Sequence, residues 1–257
     1  MTKHLVIPDT QCKPNQTYDH LRWAGEYAAD KKPDTIIHLG DHWDMPSLSS
    51  WDVGKKSFEG RRYTDDIEAG HAGMQAFLTP IRAEQRRIRQ NRKKVWNPRM
   101  VFLIGNHEQR IERAVESDAK LEGLIGYQDL RLEEYGWETY RFLEPAIIDN
   151  VAYCHYFTSG IMGRAVSSAR ALLSKKHMSC VMGHVQDREC AYDRTADGSR
   201  ITGLFGGIYY KHDEDYLNHQ TNQSWRGVWM LHEVNNGQFD EAPISMSYLE
   251  KKYAANF

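Results

Sequence analysis

Five short segments of the chain place side chains that can bind metal ions directly after apolar, strand-forming residues. Carboxylates, amides and imidazoles in such positions could hold divalent cations, and a pair of cations can activate water against a phosphate ester. Any one segment alone is more typical of a turn or a helix cap. Their order and their shared position at strand ends favour a metal site. The segments are Asp9-Thr10-Gln11, Gly40-Asp41-His42-Trp43-Asp44, Gly105-Asn106-His107-Glu108, His155 and Gly183-His184-Val185-Gln186.

The elements that must position the first three segments follow a repeated order of strand and helix. Residues 4–8, 35–39 and 99–104 are apolar runs typical of buried strands. Helices are expected over 18–30 and 108–121. In open α/β sheets, ligands bind where the carboxyl ends of the strands meet. The first half therefore predicts βαβ units with the candidate ligands at one sheet edge.

The second half of the chain is dominated by strand-like segments. We expect strands at 146–149, 151–156 and 179–182, with a helix over 160–176. Asn235-Asn236-Gly237 separates two apolar runs and predicts a hairpin, because Asn and Gly tolerate the positive φ of such turns. These segments are expected to form a second sheet.

A polar and helical stretch interrupts the strand pattern of the first half. Residues 45–63 have the composition of a loop, and 64–94 place apolar residues on one helical stripe, with Pro80 as an expected kink. We interpret about 45–98 as a helical insertion in a single domain that spans residues 1–257.

The composition is that of a folded protein, with 40% apolar and 26% charged residues. The apolar run at the N-terminus is too short for a signal peptide or a membrane span. The four cysteines lack the paired spacing of a zinc site, so reduced thiols are expected. These features predict a cytoplasmic protein without a membrane partner.

Taken together, the five segments resemble the motifs DxH, GDxxD, GNH(D/E), an isolated His and GHxH of the calcineurin-like metallophosphoesterase superfamily. The match runs from Asp9 to Gln186, and GDxxD followed by GNHE is its most specific part. In its size the chain is similar to the compact stand-alone members found in bacteria and their phages. The resemblance implies an α/β fold, a four-layer α/β/β/α sandwich with metals at the sheet edge.

The same resemblance assigns the candidate ligands to two metal positions. Asp41 would bridge both cations, and Asn106, His155 and His184 would complete one position. Asp9 would belong to the other. A hydroxide between the two cations would be the nucleophile. Manganese is the favoured ion, with magnesium, zinc and iron as alternatives.

Two residues depart from the family motifs at the Asp9 position. Gln11 stands where DxH has its histidine, and Gln186 stands where GHxH has its second one. One interpretation is that this position is lost, which leaves one metal or none. We favour an oxygen-rich position suited to manganese or magnesium, because amide carbonyls are acceptable ligands for hard cations.

His107 resembles the family histidine that lies beside the phosphate and helps the leaving oxygen to depart. Asp44 would hydrogen-bond to this imidazole and fix its tautomer. Glu108 is interpreted as a supporting or helix N-terminal residue. His42 and Trp43 could face the substrate or pack beside the strand end.

The charged residues are unevenly distributed along the chain. Residues 54–99 contain 12 Lys and Arg against 5 Asp and Glu, although the net charge is −2. A basic helical run can bind nucleic-acid phosphates or be a solvated face. The segment 211–219 also has metal-binding residue types, but it fits no motif and is interpreted as a solvated loop. The candidate phosphate-binding residues are Arg86, Arg87, Lys93 and Lys94.

These observations predict a metal-dependent phosphodiesterase or nuclease that acts on nucleic acid. The alternative is a protein or nucleotide phosphomonoesterase. Serine/threonine phosphatases of this superfamily carry an arginine after GDxxD, where this chain has Met45-Pro46, although Arg61, Arg62 or Arg110 could replace it. A catalytically idle nucleic-acid-binding module is a third hypothesis, and the intact set of ligands argues against it.

Replacing both glutamines by histidine, Gln11→His with Gln186→His, should tighten the Asp9 position and raise its tolerance for zinc. The reason is that imidazole binds zinc more strongly than an amide carbonyl does. Calorimetric titration of the wild type and the double variant with manganese and with zinc measures the change. The same metal preference and stoichiometry in both proteins would show that the glutamines are not ligands.

Overall fold

The structure is a computed structural model that describes residues 2–213 and 224–254, so residues 214–219 of the segment 211–219 lie outside it. It is a mixed α/β fold with two sheets and flanking helices. The strands are β1 (Thr2–Ile7), β2 (Thr35–His38), β3 (Arg99–Leu103), β4 (Glu138–Tyr140), β5 (Ala146–Ile148), β6 (Val151–Cys154), β7 (Cys180–Met182), β8 (Arg188–Arg194), β9 (Arg200–Gly206), β10 (Gly227–Asn235) and β11 (Gln238–Ser245). The helices are α1 (Asp19–Lys31), α2 (Tyr63–Gln90), α3 (Gln109–Ser117), α4 (Leu132–Tyr135), α5 (Ala169–Lys176) and α6 (Met246–Tyr253).

Each of the two sheets contains a group of neighbouring parallel strands. The first has the strand order β11-β10-β1-β2-β3-β4, in which β1 to β4 are parallel and β10 and β11 are antiparallel. The second has the order β5-β6-β7-β9-β8, in which β6, β7 and β9 are parallel. Because parallel strands end on the same side, each sheet gathers the residues after its strands at one edge.

Alternation along the strands divides the apolar residues among three cores. In β1, Leu5 and Ile7 face the core that contains α1, α2 and α6, whereas Val6 faces the core between the two sheets. In β6, Tyr153 lies in the core between the sheets and Cys154 lies in the core against α5. Strands buried on both faces read as continuous apolar runs, which is why the sequence predicts them well.

The predicted hairpin forms, but its strands do not join the second sheet. β10 pairs antiparallel with β1, so β10 and β11 extend the first sheet. Sequence pattern identifies a strand but not the partner it pairs with, since the partner is chosen by long-range packing. The expectation that the whole second half forms a second sheet is therefore wrong for this hairpin.

The helix expected over 160–176 is shorter in the structure. α5 begins at Ala169, and the side chain of Ser168 caps it by accepting a hydrogen bond from the Ala171 N–H. Gly160 and Gly163 lie in the preceding loop, where their low helix propensity favours irregular backbone. The strand β4 and the C-terminal helix α6 have no counterpart in the sequence predictions.

The stretch interpreted as a helical insertion provides the crossover between β2 and β3. Its helix, α2, runs without interruption from Tyr63 to Gln90 and includes Pro80. It packs closely on α1, where Gly25 lies against the Phe77 carbonyl and the Pro80 ring. The four cysteines are free thiols, as the sequence predicts. Among the described residues, no helix combines the length and the apolar composition of a membrane-spanning segment.

Gly25→Ala should lower the free energy of unfolding. A Cβ at residue 25 would lie 2.1 Å from the Phe77 carbonyl oxygen, so α1 and α2 would have to separate. Overpacking of this kind costs about 1–3 kcal/mol, against roughly 1 kcal/mol gained in helix propensity. Urea denaturation measures the difference. Gly160→Ala, where a Cβ meets no atom within 4 Å, is the matched control, and equal stability of the two variants would refute the close packing.

Candidate metal centre

The polar residues selected from the sequence follow the carboxyl ends of five parallel strands. The first sheet contributes residues after β1, β2 and β3, and the second contributes residues after β6 and β7. Backbone hydrogen bonds join these ends, including Gln11 N–H to the Asp41 carbonyl (2.8 Å) and Gly183 N–H to the His155 carbonyl (2.9 Å). The two sheets therefore bring together side chains that are far apart in the sequence.

Asp41, His155 and His184 form a group that could bind a metal ion. One potential ligand atom from each lies within 4.8 Å of the others. The side-chain oxygen of Asn106 lies between the two imidazoles, 2.8 Å from His155 Nε2 and 2.7 Å from His184 Nδ1. Two imidazoles, a carboxylate and an amide oxygen converging on one point are a donor set that suits a divalent transition metal.

The imidazole of His155 is oriented by the protein backbone. Its Nδ1 lies 2.8 Å from the Leu39 carbonyl oxygen, so Nδ1–H donates and Nε2 keeps its lone pair toward Asp41, whose Oδ1 is 3.4 Å away. Burial lowers the pKa of His155 and lowers that of His184 to about 4. Both rings are therefore neutral at physiological pH, as metal ligation requires.

Asp9 is a second buried carboxylate at the same edge. Its Oδ1 accepts the His184 N–H (3.1 Å), but its Oδ2 has no hydrogen-bond partner in the described part of the chain. The side-chain oxygen of Gln11 is likewise buried without a described partner. Gln186 is half-buried, two residues beyond His184. Unpaired oxygens are costly inside a protein, and a cation would satisfy them.

The charges of the two carboxylates are strongly coupled. Burial, and next the charge of Asp41, raise the pKa of Asp9 well above its ordinary value. Burial also acts to raise the pKa of Asp41, but the charged imidazole of His107 and the hydrogen bond from the His107 N–H outweigh it and hold this pKa below its ordinary value. A cation held by Asp41, His155 and His184 would relieve this repulsion, and these three residues could bind one.

His107 is held by Asp44 beside this group. Its Nδ1 lies 2.7 Å from Asp44 Oδ1 and 2.9 Å from the Asp44 carbonyl oxygen, so this nitrogen carries a proton that it donates. Its Nε2 lies 3.7 Å from Asp41 Oδ2. Burial alone would lower the pKa of His107, but Asp41 and Asp44 raise it to about 9. In the neutral ring, Nε2 accepts a hydrogen bond from Arg110 Nη2 at 3.2 Å. Protonation of the ring and release of this contact would present an Nε2–H to a group bound near Asp41.

Glu108 stabilises more of the backbone than a supporting or helix N-terminal residue, its interpretation from the sequence, would. Its buried carboxylate accepts four backbone N–H groups: Oε1 from His42 (2.6 Å) and Trp43 (2.9 Å), and Oε2 from Asp41 (3.0 Å) and Gly105 (2.9 Å). Glu108 thus holds the turn after β2, which contains Asp41, against the end of β3, next to Asn106. Its position in GNHE is visible in the sequence, but the four bonds depend on two strand ends lying side by side.

His42 does not face a substrate, so the packing alternative replaces its assignment as a substrate-binding residue. Its side chain is 1% exposed. The Nδ1 atom lies 2.7 Å from the Thr10 hydroxyl and Nε2 lies 2.9 Å from the Gly70 carbonyl, and the ring packs edge-on against Trp43. Both polar atoms are therefore satisfied inside the protein.

The end of α2 lies at the opposite edge of the first sheet from the metal ligands. Residues that precede β2 contact the last turns of α2 and the segment after it: Lys32 Nζ is 2.8 Å from Glu84 of α2, and the indole of Trp96, between α2 and β3, donates to the Pro33 carbonyl (2.7 Å). Asn106, by contrast, follows the end of β3. The amino and carboxyl ends of the strands are separated by the length of β3, roughly 16 Å for five residues.

The basic run is therefore not brought to the metal ligands, which corrects its assignment to the substrate site. Its side chains are exposed, and Arg87 pairs through two bonds with Glu84 (2.6 and 2.9 Å). Charge composition does not indicate which end of a crossover helix faces a site. The residues concerned are Arg86, Arg87, Lys93 and Lys94. Of the other arginines considered, Arg110 is the one that contacts His107, at 3.2 Å.

Comparison with known proteins gives a partial similarity. No protein-family model matches the chain. Two proteins named "Gene 54 protein" are similar over 111 residues, one from Mycobacterium phage D29 with 34% identity and one from Mycobacterium phage L5 with 32%. Each alignment covers 43% of this chain, and the chain spans 38% of the length of each relative. Neither name states an activity.

Glu108→Gln should lower the free energy of unfolding by about 2 kcal/mol or more. Burial, and next the charge of Asp41, raise the pKa of Glu108 to about 7, so stability is measured at a pH above that value, where the carboxylate is charged. Hydrogen bonds to a charged group are worth about 1.5–3 kcal/mol, and the amide NH₂ would have to face one pair of the four N–H donors. Urea denaturation in the presence of a chelator measures this without a contribution from bound metal. Glu116→Gln, at an exposed position of α3, is the control. If Glu108→Gln and Glu116→Gln unfold at the same urea concentration, the four hydrogen bonds to Glu108 do not stabilise the fold as proposed.

Proposed function

We propose that this protein is a metal-dependent phosphoesterase of the calcineurin-like kind that hydrolyses phosphodiester bonds, with nucleic acid as the favoured substrate. One observation carries the proposal. A buried group of Asp41, His155 and His184 lies beside a second buried carboxylate, Asp9, one oxygen of which has no hydrogen-bond partner among the described residues. Buried carboxylates that repel each other are typical of sites completed by cations.

The arrangement of the sheets supports the family assignment. Helices α1, α2 and α6 cover one face of the first sheet, the two sheets share a core, and α5 covers the far face of the second sheet. This layer order supports the proposal that the chain forms the four-layer α/β/β/α sandwich that the motifs imply. The motif residues all follow strand ends, where that fold would hold its metals.

The residues divide between two proposed cation positions that share Asp41. Asn106, His155 and His184 would hold one cation. Asp9, Gln11 and Gln186 would hold the other, and their oxygen-rich donors favour manganese or magnesium there. Cations held by these residues would supply Lewis acidity and would activate water for attack on phosphorus.

His107 and Asp44 have the geometry for assisting the leaving group. Asp44 holds His107 through Nδ1, so the opposite nitrogen is directed toward the Asp41 side of the site. A protonated Nε2 there can donate its proton to the leaving oxygen or stabilise the charge on it. Positioned acids of this kind contribute roughly 100-fold or more to the rate.

The loop that leaves the site after Asp44 supports nucleic acid as the substrate. Residues 45–62 present Trp51 with 83% of its side chain exposed, together with the exposed cations Lys56 and Arg62. Aromatic side chains can stack on unpaired bases, and cations bind the phosphate backbone. This loop takes the place of the basic run as the proposed nucleic-acid surface.

A phosphomonoesterase is the second candidate function. It is favoured by the guanidinium of Arg110 beside His107, which could bind the additional negative charge of a monoester. The idle binding module is disfavoured because the ligand side chains and the His107–Asp44 pair are all gathered at one edge.

Two substitutions test the assignment with different expected results. With manganese, the wild type should hydrolyse bis(4-nitrophenyl) phosphate faster than 4-nitrophenyl phosphate. Asp41→Asn should lose metal binding and activity together. His107→Ala should keep metal binding, measured by calorimetry, while turnover falls by about 100-fold or more. His232→Ala, an exposed histidine of β10, is the control.

The outcomes separate the alternatives. Faster hydrolysis of the monoester would favour the second candidate. Metal binding without hydrolysis of either ester would favour the idle module, and full activity in Asp41→Asn or His107→Ala would refute the roles given to those residues.

A further inference from the structure

The segment after β6 forms a short hairpin, residues 157–166, at the carboxyl edge of the second sheet. The side chains of Phe157 and Val166 at its base are buried in the core against α5. Backbone hydrogen bonds cross the hairpin from Val166 N–H to the Phe157 carbonyl (2.9 Å) and from Ser159 N–H to the Arg164 carbonyl (2.8 Å). These contacts hold the hairpin in one position on the sheet.

The tip of this hairpin, residues 160–163, presents two large apolar side chains to solvent. Gly163 N–H donates to the Gly160 carbonyl (3.2 Å), so Ile161 and Met162 are the two central residues of the turn. Ile161 is fully exposed, and Met162 is 79% exposed. Turns of this kind usually carry Gly, Pro, Asn, Asp or Ser. An adjacent apolar pair that neither the core nor the turn requires is typical of a contact with another molecule.

Tyr156 connects the tip to the candidate metal centre. Its ring packs against the imidazole of His184, with 4.6 Å between the ring centroids, and its hydroxyl lies 3.4 Å from the Gly163 carbonyl. One phenol ring therefore separates the tip from a proposed metal ligand. Successive nucleotides of a duplex strand advance roughly 3.4 Å along its axis. A duplex with a phosphate at the metal centre would thus bring base pairs only a few steps away to the tip.

The charges around the hairpin favour a polyanion as the partner. Residues 150–186 contain four Lys and Arg but no Asp or Glu. Arg164, directly after the tip, is exposed, as are Arg170 and Lys175. Cations in these positions can bind phosphates while the apolar tip contacts bases. An anionic membrane would also attract them, but it gives no reason for the tip to contact the ring that packs on His184.

We propose that Ile161 and Met162 insert into the base stack of double-stranded DNA, beside the phosphate bound at the candidate metal centre. The inference rests on the proposed function and narrows its substrate from nucleic acid to duplex DNA. Ile and Met are among the side chains that enter the minor groove as wedges, where they unstack a base step and kink the duplex. The wide, shallow minor groove of duplex RNA is recognised mostly by its shape and its hydroxyl groups, so the wedge favours DNA.

A kink beside the scissile phosphate has a physical use at this site. Asp41 and His155 are 2% and 1% exposed, so their ligand atoms lie below the protein surface. A straight duplex is a stiff rod, and bending it over a few base pairs costs free energy unless the stack is opened. Unstacking at the tip would let the backbone turn toward these ligands.

The experiment uses DNA duplexes that contain 2-aminopurine, a base whose fluorescence rises when its neighbours unstack. The wild type is compared with the double variant Ile161→Ser with Met162→Ser. Leu124→Ser is the matched control, because Leu124 is an apolar side chain, 72% exposed, in the segment between α3 and α4. Samples contain manganese or a chelator, and gel electrophoresis identifies those in which the duplex stays intact. Thermal unfolding of each variant shows that the fold is retained.

We expect the wild type and Leu124→Ser to raise the fluorescence at saturating protein, and the double variant to lose most of this rise. Its affinity for the duplex should fall by about tenfold, or roughly 1.4 kcal/mol. Its affinity for single-stranded DNA should change less, because a single strand has no paired stack to open. Arg164→Gln should instead keep the fluorescence rise at saturation and reduce the dependence of affinity on salt, since it removes a phosphate contact.

An unchanged fluorescence rise in the double variant would overturn the proposal, as would a wild type that binds the duplex without any rise. Binding of the wild type to phosphatidylserine vesicles but not to duplex DNA would overturn it in favour of a lipid surface. A wild-type dimer that the double variant loses, again without a fluorescence rise, would assign the tip to a second copy of the chain.

Hydrolysis separates this inference from the proposed function. With manganese, the double variant should lose more of its activity on duplex DNA than on bis(4-nitrophenyl) phosphate, because the small ester has no bases to unstack. If the wild type hydrolyses neither substrate, the proposed function fails. The fluorescence measured in the chelator then still decides whether the tip opens the duplex.

Discussion

The repulsion between two buried carboxylates, Asp9 and Asp41, is the constraint on which the rest of the site depends. Each accepts one backbone N–H, from His184 and His107 respectively, and neither is exposed enough for water to screen its charge. The cationic imidazole of His107, 3.7 Å from Asp41, compensates part of this charge. The charge that remains is unfavourable in a protein interior. The neutral imidazoles of His155 and His184 add donors but no positive charge, and a metal ion bound by them and Asp41 would supply the rest of the compensation.

This arrangement needs a backbone that can hold acidic residues at neighbouring strand ends. Asp41 has φ of 51°, and Glu108 stabilises its turn by accepting four N–H groups. Gly105 allows the approach, because a Cβ there would lie 2.1 Å from Asp41 Oδ1. The close contact also explains why Gly precedes Asn106. Strand pairing, turn geometry and the charge of Glu108 together place Asp41 where both sheets can reach it.

The sequence predicts that Asp41, His155 and His184 lie together, because short motifs at the ends of apolar runs carry strong local information. It also predicts β1 to β3 and the turn at Asn236. It fails where a result depends on distant packing: β10 pairs with β1, and the basic end of α2 lies at the edge opposite the ligands. His42 stands inside a functional motif, yet its ring is enclosed by Thr10 and Gly70. A motif fixes which residues are near a site, but not which way each side chain points.

We propose that Asp41 joins two metal positions, and a crystal soaked in manganese tests this arrangement. Anomalous diffraction at the manganese edge locates the ions without any assumption about activity. We expect two peaks about 3.5–4 Å apart, both in contact with Asp41, one beside His155 and His184 and the other beside Asp9. The absence of a peak in contact with Asp41 at saturating manganese would contradict it.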